Sequence, residues 1–391
     1  MRFSSSTFPF QVFGFINIVF ITVFSVPIWG VSVLSLLERF WENVVSLDTV
    51  TLIYLVAGVV SATIILILGR TPVIKSTGLL SGYGCSDFRF KPRFPSGAVP
   101  DKFVGEWSCC KLGCGGWGCA YLCTRGKEKA VFKVPRGFER IIEESSGVPT
   151  PAISKKSMDE IKQKIKHEAE VISTLDHQNI IKLLGYSEDL LFFIYEYADY
   201  GTVYWQLSKG WKPSLRDILL IGIQLSDALR YIHSRGLIHG DIKPSNIFIK
   251  KDGIYKLGDF SSTVKLLSSI SRRSRSKIFL RSRSKIPGTP GFRAPEQVYP
   301  NIMKKAVEGG YEYKIDVYQL ANTLLYMLTG ESIDGAKAGK EEYKVKKLSA
   351  VSNKELRKVL AEALKLEPSE RPSAEEFKKK LQEILLKVSK T

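Results

Sequence analysis

His239-Gly240-Asp241-Ile242-Lys243-Pro244-Ser245-Asn246 is the stretch that decides how the rest of the chain is read. An acid, a lysine two places on and an asparagine three further form a compact set for handling phosphate and a divalent cation. Asp241 can accept the proton of a hydroxyl, Lys243 can lie against a phosphate, and Asn246 can offer its amide oxygen to a metal ion. Leu237 and Ile238 precede the stretch and Ile247, Phe248 and Ile249 follow it, so short buried strands can hold it still. Alone, the octapeptide also fits an ordinary turn, because Pro244, Ser245 and Asn246 are turn formers.

Upstream, Lys111 to Cys123 reads Lys-Leu-Gly-Cys-Gly-Gly-Trp-Gly-Cys-Ala-Tyr-Leu-Cys, in which Gly113, Gly115 and Gly118 make G-x-G-x-x-G. Missing side chains let a backbone turn lie close over phosphates. The pattern is weak alone, since a dinucleotide fold or a glycine-rich hairpin shows it too. A dinucleotide fold needs a helix straight after the third glycine; here Cys119-Ala-Tyr-Leu-Cys123 continues as strand and Arg125-Gly126 turns. The next strand, Lys129-Ala-Val-Phe-Lys-Val, carries Lys133, and an exposed strand lysine is its plain alternative. Met158 to Leu175 has a helical period, with Ile161, Ile165, Ala169, Ile172 and Leu175 on one face and Glu168 and Glu170 within it. Leu215 to His233 is a second amphipathic helix leading into the octapeptide. Beyond it come Lys256-Leu-Gly-Asp259-Phe-Ser261, Gly288-Thr-Pro-Gly-Phe-Arg-Ala-Pro-Glu296, Lys314-Ile-Asp316 and Pro368-Ser-Glu-Arg371.

In this order, over about residues 104–387, these motifs resemble the protein kinases of the eukaryotic Ser/Thr type. The resemblance implies an α+β, two-lobed fold with a small β-rich N-lobe and a larger helical C-lobe. It implies that ATP lies against Gly113, Gly115 and Gly118, with Ala130 as a wall of the adenine pocket. Lys133 then pairs the α and β phosphates, with Glu168 as its ion-pair partner and Glu170 as runner-up. Phe192 to Ala198 resembles the strand and hinge between the lobes: Tyr195 as gatekeeper, the carbonyl of Glu196 and the N–H of Ala198 facing adenine. Asp241 and Lys243 are implied as the catalytic pair, and Asn246 and Asp259 as ligands of Mg2+ or Mn2+. Thr289 is implied to bond near Asp241 and Lys243, Glu296 to pair with Arg371, and Asp316 to brace the catalytic loop. Two positions depart from the family: Gly240 replaces an Arg, and Ser261 replaces the Gly of Asp-Phe-Gly.

Front and charge add a second layer. The 391 residues are 44% apolar and 25% charged, ordinary for a globular chain, but the formal net charge is +18. Charges in residues 1–70 cancel (Arg2, Arg39, Arg70 against Glu38, Glu42, Asp48), so the surplus lies beyond them. No charge occurs from Phe3 to Leu37 or from Thr49 to Gly69, and a membrane span needs about 20 apolar residues. The expectation is a membrane anchor over 1–70 with two transmembrane helices, about 10–37 and 49–69; a cleaved signal peptide and buried core helices are the alternatives to the first or both. Arg70, Lys75, Arg89, Lys91 and Arg93 follow the second run, which places the remainder in the cytoplasm. Residues 71–103, rich in Gly, Pro and Ser without clear period, read as a juxtamembrane linker, and 104–387 as the kinase domain.

Five of the six cysteines fall between Cys109 and Cys123. A metal or redox reading is open, but no C-x-x-C occurs, and reduced, buried strand residues in the cytoplasm are the expectation. Between Lys265 and Arg293 lie nine basic residues (Lys265, Arg272, Arg273, Arg275, Lys277, Arg281, Arg283, Lys285, Arg293) and no acid. Few aromatics are interleaved, and Phe279 alone is a poor platform for nucleic acid, so binding to it is not expected. Contact with anionic lipid, reordered by phosphoserine, stands beside a merely solvated loop. Two readings of function follow: an active Ser/Thr kinase at the cell membrane acting on protein substrates, or a pseudokinase that binds ATP or serves as a scaffold. The lysine and both key acids are present, which favours the first.

Overall fold

The computed structural model of the protein describes residues 89–94, 96–97, 99–143, 155–266, 286 and 288–389. Both uncharged runs and most of the basic segment lie outside these residues; within them no helix is long and apolar enough to cross a membrane.

The N-lobe starts with β1 (Arg89–Phe90), β2 (Arg93–Phe94) and β3 (Gly105–Glu106). Three long strands follow: β4 (Ser108–Cys114), β5 (Gly118–Arg125) and β6 (Glu128–Pro135). Then come the single-turn helix α1 (Arg140–Glu143), the long helix α2 (Lys155–Ser173), β7 (Leu183–Ser187) and β8 (Phe192–Glu196). Six strands form one sheet in the order β1-β4-β5-β6-β8-β7, every pairing antiparallel. Side chains alternate between the faces of a strand. On β6, Ala130, Phe132 and Val134 join Phe94, Trp107 and Ile194 in one buried cluster. Val131 packs instead with Tyr195, Phe193 and the α2 residues Ile165, Ala169 and Ile172.

The stretch expected as linker is in part a piece of this lobe. Phe94 stacks on Phe132 with ring centroids 5.0 Å apart, Phe103 meets the same ring at 6.1 Å, and Val99 is buried. Anchors spaced at 94, 99 and 103 match neither a helical nor a strand period, which is why the pattern was not legible.

The cysteine expectation is corrected as well. Cys109 is bonded to Cys123 and Cys114 to Cys119, and Cys110 is also disulfide-bonded. Antiparallel pairing of β4 with β5 sets Cys109 opposite Cys123 and Cys114 opposite Cys119, each with Cα atoms 4.0 Å apart. Spacings of 14 and 5 hide this, because only the hairpin register brings the partners together.

The C-lobe holds α3 (Val203–Ser208), α4 (Leu215–Ser234), β9 (Leu237–Ile238), β10 (Ile247–Ile249), β11 (Tyr255–Leu257) and β12 (Val264–Lys265). It continues with α5 (Pro300–Gly309), α6 (Lys314–Thr329), α7 (Glu341–Ser349), α8 (Lys354–Ala363) and α9 (Ala374–Val388). Helix α4 starts at a reciprocal cap between Ser214 and Asp217 and buries Ile218, Leu219, Ile221, Leu225, Leu229 and Ile232. It packs on α9 and on α6, which is buried nearly all round from Lys314 to Leu325. A helix enclosed on every side marks the centre of a lobe.

Candidate active site

Two short antiparallel strand pairs set the octapeptide in place. Strand β10 pairs with β11 in the register Ile247 to Leu257, so Asn246 before the one and Asp259 after the other meet at the same end. The Gly258 amide donates to the Asn246 carbonyl over 2.9 Å and closes that end. Strand β9 pairs with β12 and fixes the approach to His239.

Helix α6 braces the loop from below. Asp316 accepts from the His239 amide at 2.9 Å and the Gly240 amide at 2.8 Å, and also faces His233 Nε2 at 2.8 Å. One turn on, Gln319 takes the Ile242 amide at 3.0 Å and donates to the Gly240 carbonyl at 2.8 Å. Thr323 donates to the Ile242 carbonyl at 3.2 Å. Gln297 donates to the same Gly240 carbonyl at 2.8 Å. All three helix residues are 0% exposed. Asp316 was expected; Gln297, Gln319 and Thr323 were not. For Gln319 and Thr323 the signal is legible afterwards: with Asp316 they stand at i, i+3 and i+7 and share one helix face. Gly240 has φ +77°, a conformation that costs an L-residue roughly 1–2 kcal/mol. Glycine therefore relieves the backbone at the position where the family's Arg stands.

The reacting end is closed by side chains. Lys243 Nζ donates to Asp241 Oδ2 at 2.7 Å and to Thr289 Oγ1 at 2.6 Å. Asp241 Oδ1 accepts from the Thr289 amide at 2.9 Å and its hydroxyl at 2.8 Å. Asn246 Nδ2 donates to the Asp241 carbonyl at 2.8 Å, which fixes the amide plane. Asp241, Lys243, Asn246 and Thr289 are thus one bonded group. Behind it, Glu296 and Arg371 form a bidentate pair at 2.6 and 2.8 Å with both side chains fully buried.

Across the cleft the lysine is differently paired than expected. Lys133 Nζ lies 3.3 Å from Asp259 Oδ1. Glu168 is buried on α2, facing the cleft, but its carboxylate accepts from the Tyr195 hydroxyl at 2.8 Å. Glu170 is exposed, which removes the runner-up. Burial together with the Asp259 charge pushes the Glu168 carboxyl up, against the pull of Lys133. For Lys133, burial works against the ammonium, yet Asp259 and Glu168 together hold it above the usual lysine range. Burial likewise opposes the Asp259 carboxylate, but Lys133 and the Ser261 hydroxyl, 2.8 Å away, outweigh it and hold the group at about 2. Asp259 is therefore ionised, and takes φ +63°. Ser261 adds a bond that glycine cannot make.

Ala130 does not line the cleft. Strand alternation turns it, with Phe132 and Val134, into the opposite cluster, and Val131 shares the face of Lys133. The expectation was off by one residue, and one residue flips a strand's face. Glu196 and Ala198 sit on the connection from β8, with the Glu196 side chain taken by the Lys182 amide and Lys256 Nζ at 2.8 and 2.7 Å. In the glycine loop, Gly113 and Gly115 have open space where a Cβ would be. At Gly118 a Cβ would stand 1.9 Å from the Val134 carbonyl oxygen, so this glycine serves the close approach of β5 to β6.

Asn246 and Asp259 offer hard oxygen donors, one ionised, which suit Mg2+ or Mn2+. Cys114 Sγ, Cys119 Sγ and a Glu139 carboxylate oxygen also lie within 4.8 Å of one another, but sulfurs bonded to each other offer no thiolate to a cation.

A β-rich lobe over a helical lobe, with a lysine and an ionised acid facing a bonded Asp-Lys-Thr group, defines a phosphate-handling enzyme. Residues 109–381 match the protein kinase domain family, and the chain belongs to it. Among curated relatives, serine/threonine-protein kinase 10-A of Xenopus laevis is 36% identical over 165 residues, 41% of this chain and 16% of that protein. A probable serine/threonine-protein kinase of Dictyostelium discoideum is 30% identical over 249 residues, 61% of this chain and 43% of that one. The Aurora kinase of the same organism is 29% identical over 223 residues, 56% and 49% of the two chains. The chain spans less than half the length of these relatives. Its domain is that of a protein kinase, and two of these relatives are named serine/threonine-protein kinases.

Proposed function

We propose that this chain transfers the γ-phosphate of ATP to Ser or Thr hydroxyls of proteins, at a membrane, on the cytoplasmic side. The observation that carries the reaction is the bonded group around Asp241. With Thr289 and Lys243 fixing its two oxygens, the carboxylate has a defined direction in which to accept a substrate hydroxyl's proton. Lys243 lies beside the site of charge build-up and offsets it. Lys133 holds phosphate from the N-lobe side, and the carbonyl of Glu196 and amide of Ala198 meet adenine. Asn246 and Asp259 would hold the metal ion, which supplies charge neutralisation at the phosphates. No reacting group of the family is missing, so nothing favours the scaffold reading.

Membrane anchoring rests on the two uncharged runs before residue 70, and the inside orientation on the basic flank after the second. The basic residues of 265–293 would add contact with anionic lipid, roughly 1 kcal/mol for each one near the surface.

The test is incubation of the full chain, in detergent and in vesicles with or without anionic lipid, with γ-labelled ATP, Mg2+ and generic protein acceptors. Label on Ser and Thr, absent in Asp259→Asn, is the expected result. ATP binding without transfer to itself or any acceptor would overturn catalysis. Protease digestion of intact cells tests the topology: loss of the kinase domain from outside would reverse the orientation.

A further inference from the structure

The disulfides Cys109–Cys123 and Cys114–Cys119 cross the same β4–β5 hairpin but sit in unlike places. Cys109 and Cys123 are each 0% exposed, inside the aromatic cluster of the N-lobe. Cys114 is exposed at the rim while Cys119 is buried, and between them stand only Gly115, Gly116, Trp117 and Gly118, the tip of the glycine loop. The tip is also tied down by backbone: the Gly115 amide donates to the Gly118 carbonyl at 2.8 Å, and the Arg136 amide to the Trp117 carbonyl at 3.1 Å. In this position the Trp117 ring lies 4.8 Å from Lys133 Nζ and 5.6 Å from the Phe193 ring. Lys133 and Phe193 are cross-strand partners and share the cleft face. The indole therefore covers the ammonium that phosphate must reach. An indole face and a phosphate cannot both occupy that contact.

We propose that Cys114–Cys119 is a thiol–disulfide exchange site that controls access to Lys133, with a dithiol as its reductant. The closed crosslink holds the tip with Trp117 over Lys133; opening it frees four residues, three of them glycine, and lets the indole leave. Chemistry follows from exposure. A thiolate of the reductant attacks the accessible Cys114 sulfur, the S–S bond breaks, and Cys119 leaves as thiolate. Cys119 Sγ sits 3.2 Å from Glu139 Oε1, and a carboxylate there favours the protonated sulfur, so the thiolate takes up a proton. The reductant's second thiol then attacks its own sulfur in the mixed disulfide and releases Cys114. Two electrons and two protons pass from the dithiol to the cysteine pair, and the reductant departs as its disulfide. On the cytoplasmic side proposed above, a disulfide open to the thiol pool, as Cys114 is and the buried Cys109–Cys123 pair is not, is commonly redox-active rather than structural. The functional consequence rests on Lys133 being the phosphate-binding lysine.

The experiment uses the full chain, air-oxidised and then exposed to graded dithiothreitol. Alkylation and peptide mass mapping report which cysteines open. Two quantities are followed: the rate at which a small acylating reagent modifies Lys133, and the affinity for ATP. Cys114 and Cys119 should open at lower dithiothreitol than Cys109 and Cys123. With them, Lys133 acylation and ATP affinity should both rise about tenfold, the scale of losing a desolvated cation–π contact. Cys114→Ser should be fast in both conditions and unresponsive. Trp117→Ala should be fast with the disulfide still closed. Unchanged Lys133 acylation after verified opening overturns the proposal, as does a Cys114→Ser protein that still responds. Faster acylation without any ATP binding would keep the gate and refute the nucleotide reading of Lys133 instead.

Discussion

The octapeptide loop of the C-lobe and the glycine loop of the N-lobe are held in opposite ways. Residues 239–242 are fixed by buried groups of α6 and by Gln297, each main-chain bond made to a side chain that is 4% exposed or less. The tip 115–118 is held by two main-chain bonds, one crosslink at the rim and one indole. The first arrangement has no second position to go to without exposing buried charge. The second can be released by a single bond exchange. In this protein the loop around Asp241 is fixed by buried side chains, and the glycine-loop tip is held at the surface by fewer bonds.

The largest effects should come from breaking the rigid end. Asp241→Asn should lower the turnover of phosphoryl transfer by about 10²–10⁴ with ATP affinity nearly kept, because only the proton acceptor is lost. Asp259→Asn should abolish metal-dependent transfer; a radiolabel assay separates it from Asp241→Asn, since its metal dependence goes too. If either retains full turnover, the rigid loop is not the catalytic one.

Next comes Glu296→Ala. It leaves Arg371 fully buried without its carboxylate and should destabilise the C-lobe by about 3–5 kcal/mol. Denaturant unfolding would show this, and a cost below about 1 kcal/mol would mean that the pair is not held as described.

The two crosslinks sharpen the contrast within the N-lobe. Replacing Cys109 and Cys123 together by Ser should cost about 3 kcal/mol, against about 2 for Cys114 and Cys119, because loop closure grows with the separations of 14 and 5. Stability should thus follow the inner pair and nucleotide access the outer one. Unfolding midpoints measured beside ATP titrations decide this.

A smaller effect is expected from Gly240→Ala, roughly 1–2 kcal/mol from its left-handed backbone, read as a lower melting temperature. Smallest is Ser261→Ala. Asp259 is held at about 2 against an ordinary 3.8, so its contribution to stability is complete above about pH 4 and is lost as pH falls through about 2. Removing the Ser261 hydroxyl takes away one support of the carboxylate. The acid limb of a metal-free unfolding curve should then move to higher pH.

Much of the C-lobe was legible because its elements are long and periodic. Leu215 to His233 reads as an amphipathic helix and is one, and Asp241, Asn246 and Asp259 lie where short hairpin strands must place them. The glycine pattern was legible as a hairpin because no helix follows it. Ala130 shows the limit: motif alignment located the strand, but which face a residue takes depends on parity alone.

Sequence by itself determined the kinase family and the order of its motifs, since those depend on residue type at local spacing. Glu296–Arg371, Thr289 beside Asp241, and Asp316 under the loop were implied by the resemblance, but other partners were decided only by the tertiary structure. That Lys133 meets Asp259, that Tyr195 holds Glu168, that Gln297 and Gln319 share the Gly240 carbonyl, and that four cysteines close two rungs of one hairpin all depend on partners far apart in the chain. A side chain's partner is set by the register of strands and the packing of helices, and a single sequence carries no local signal for either.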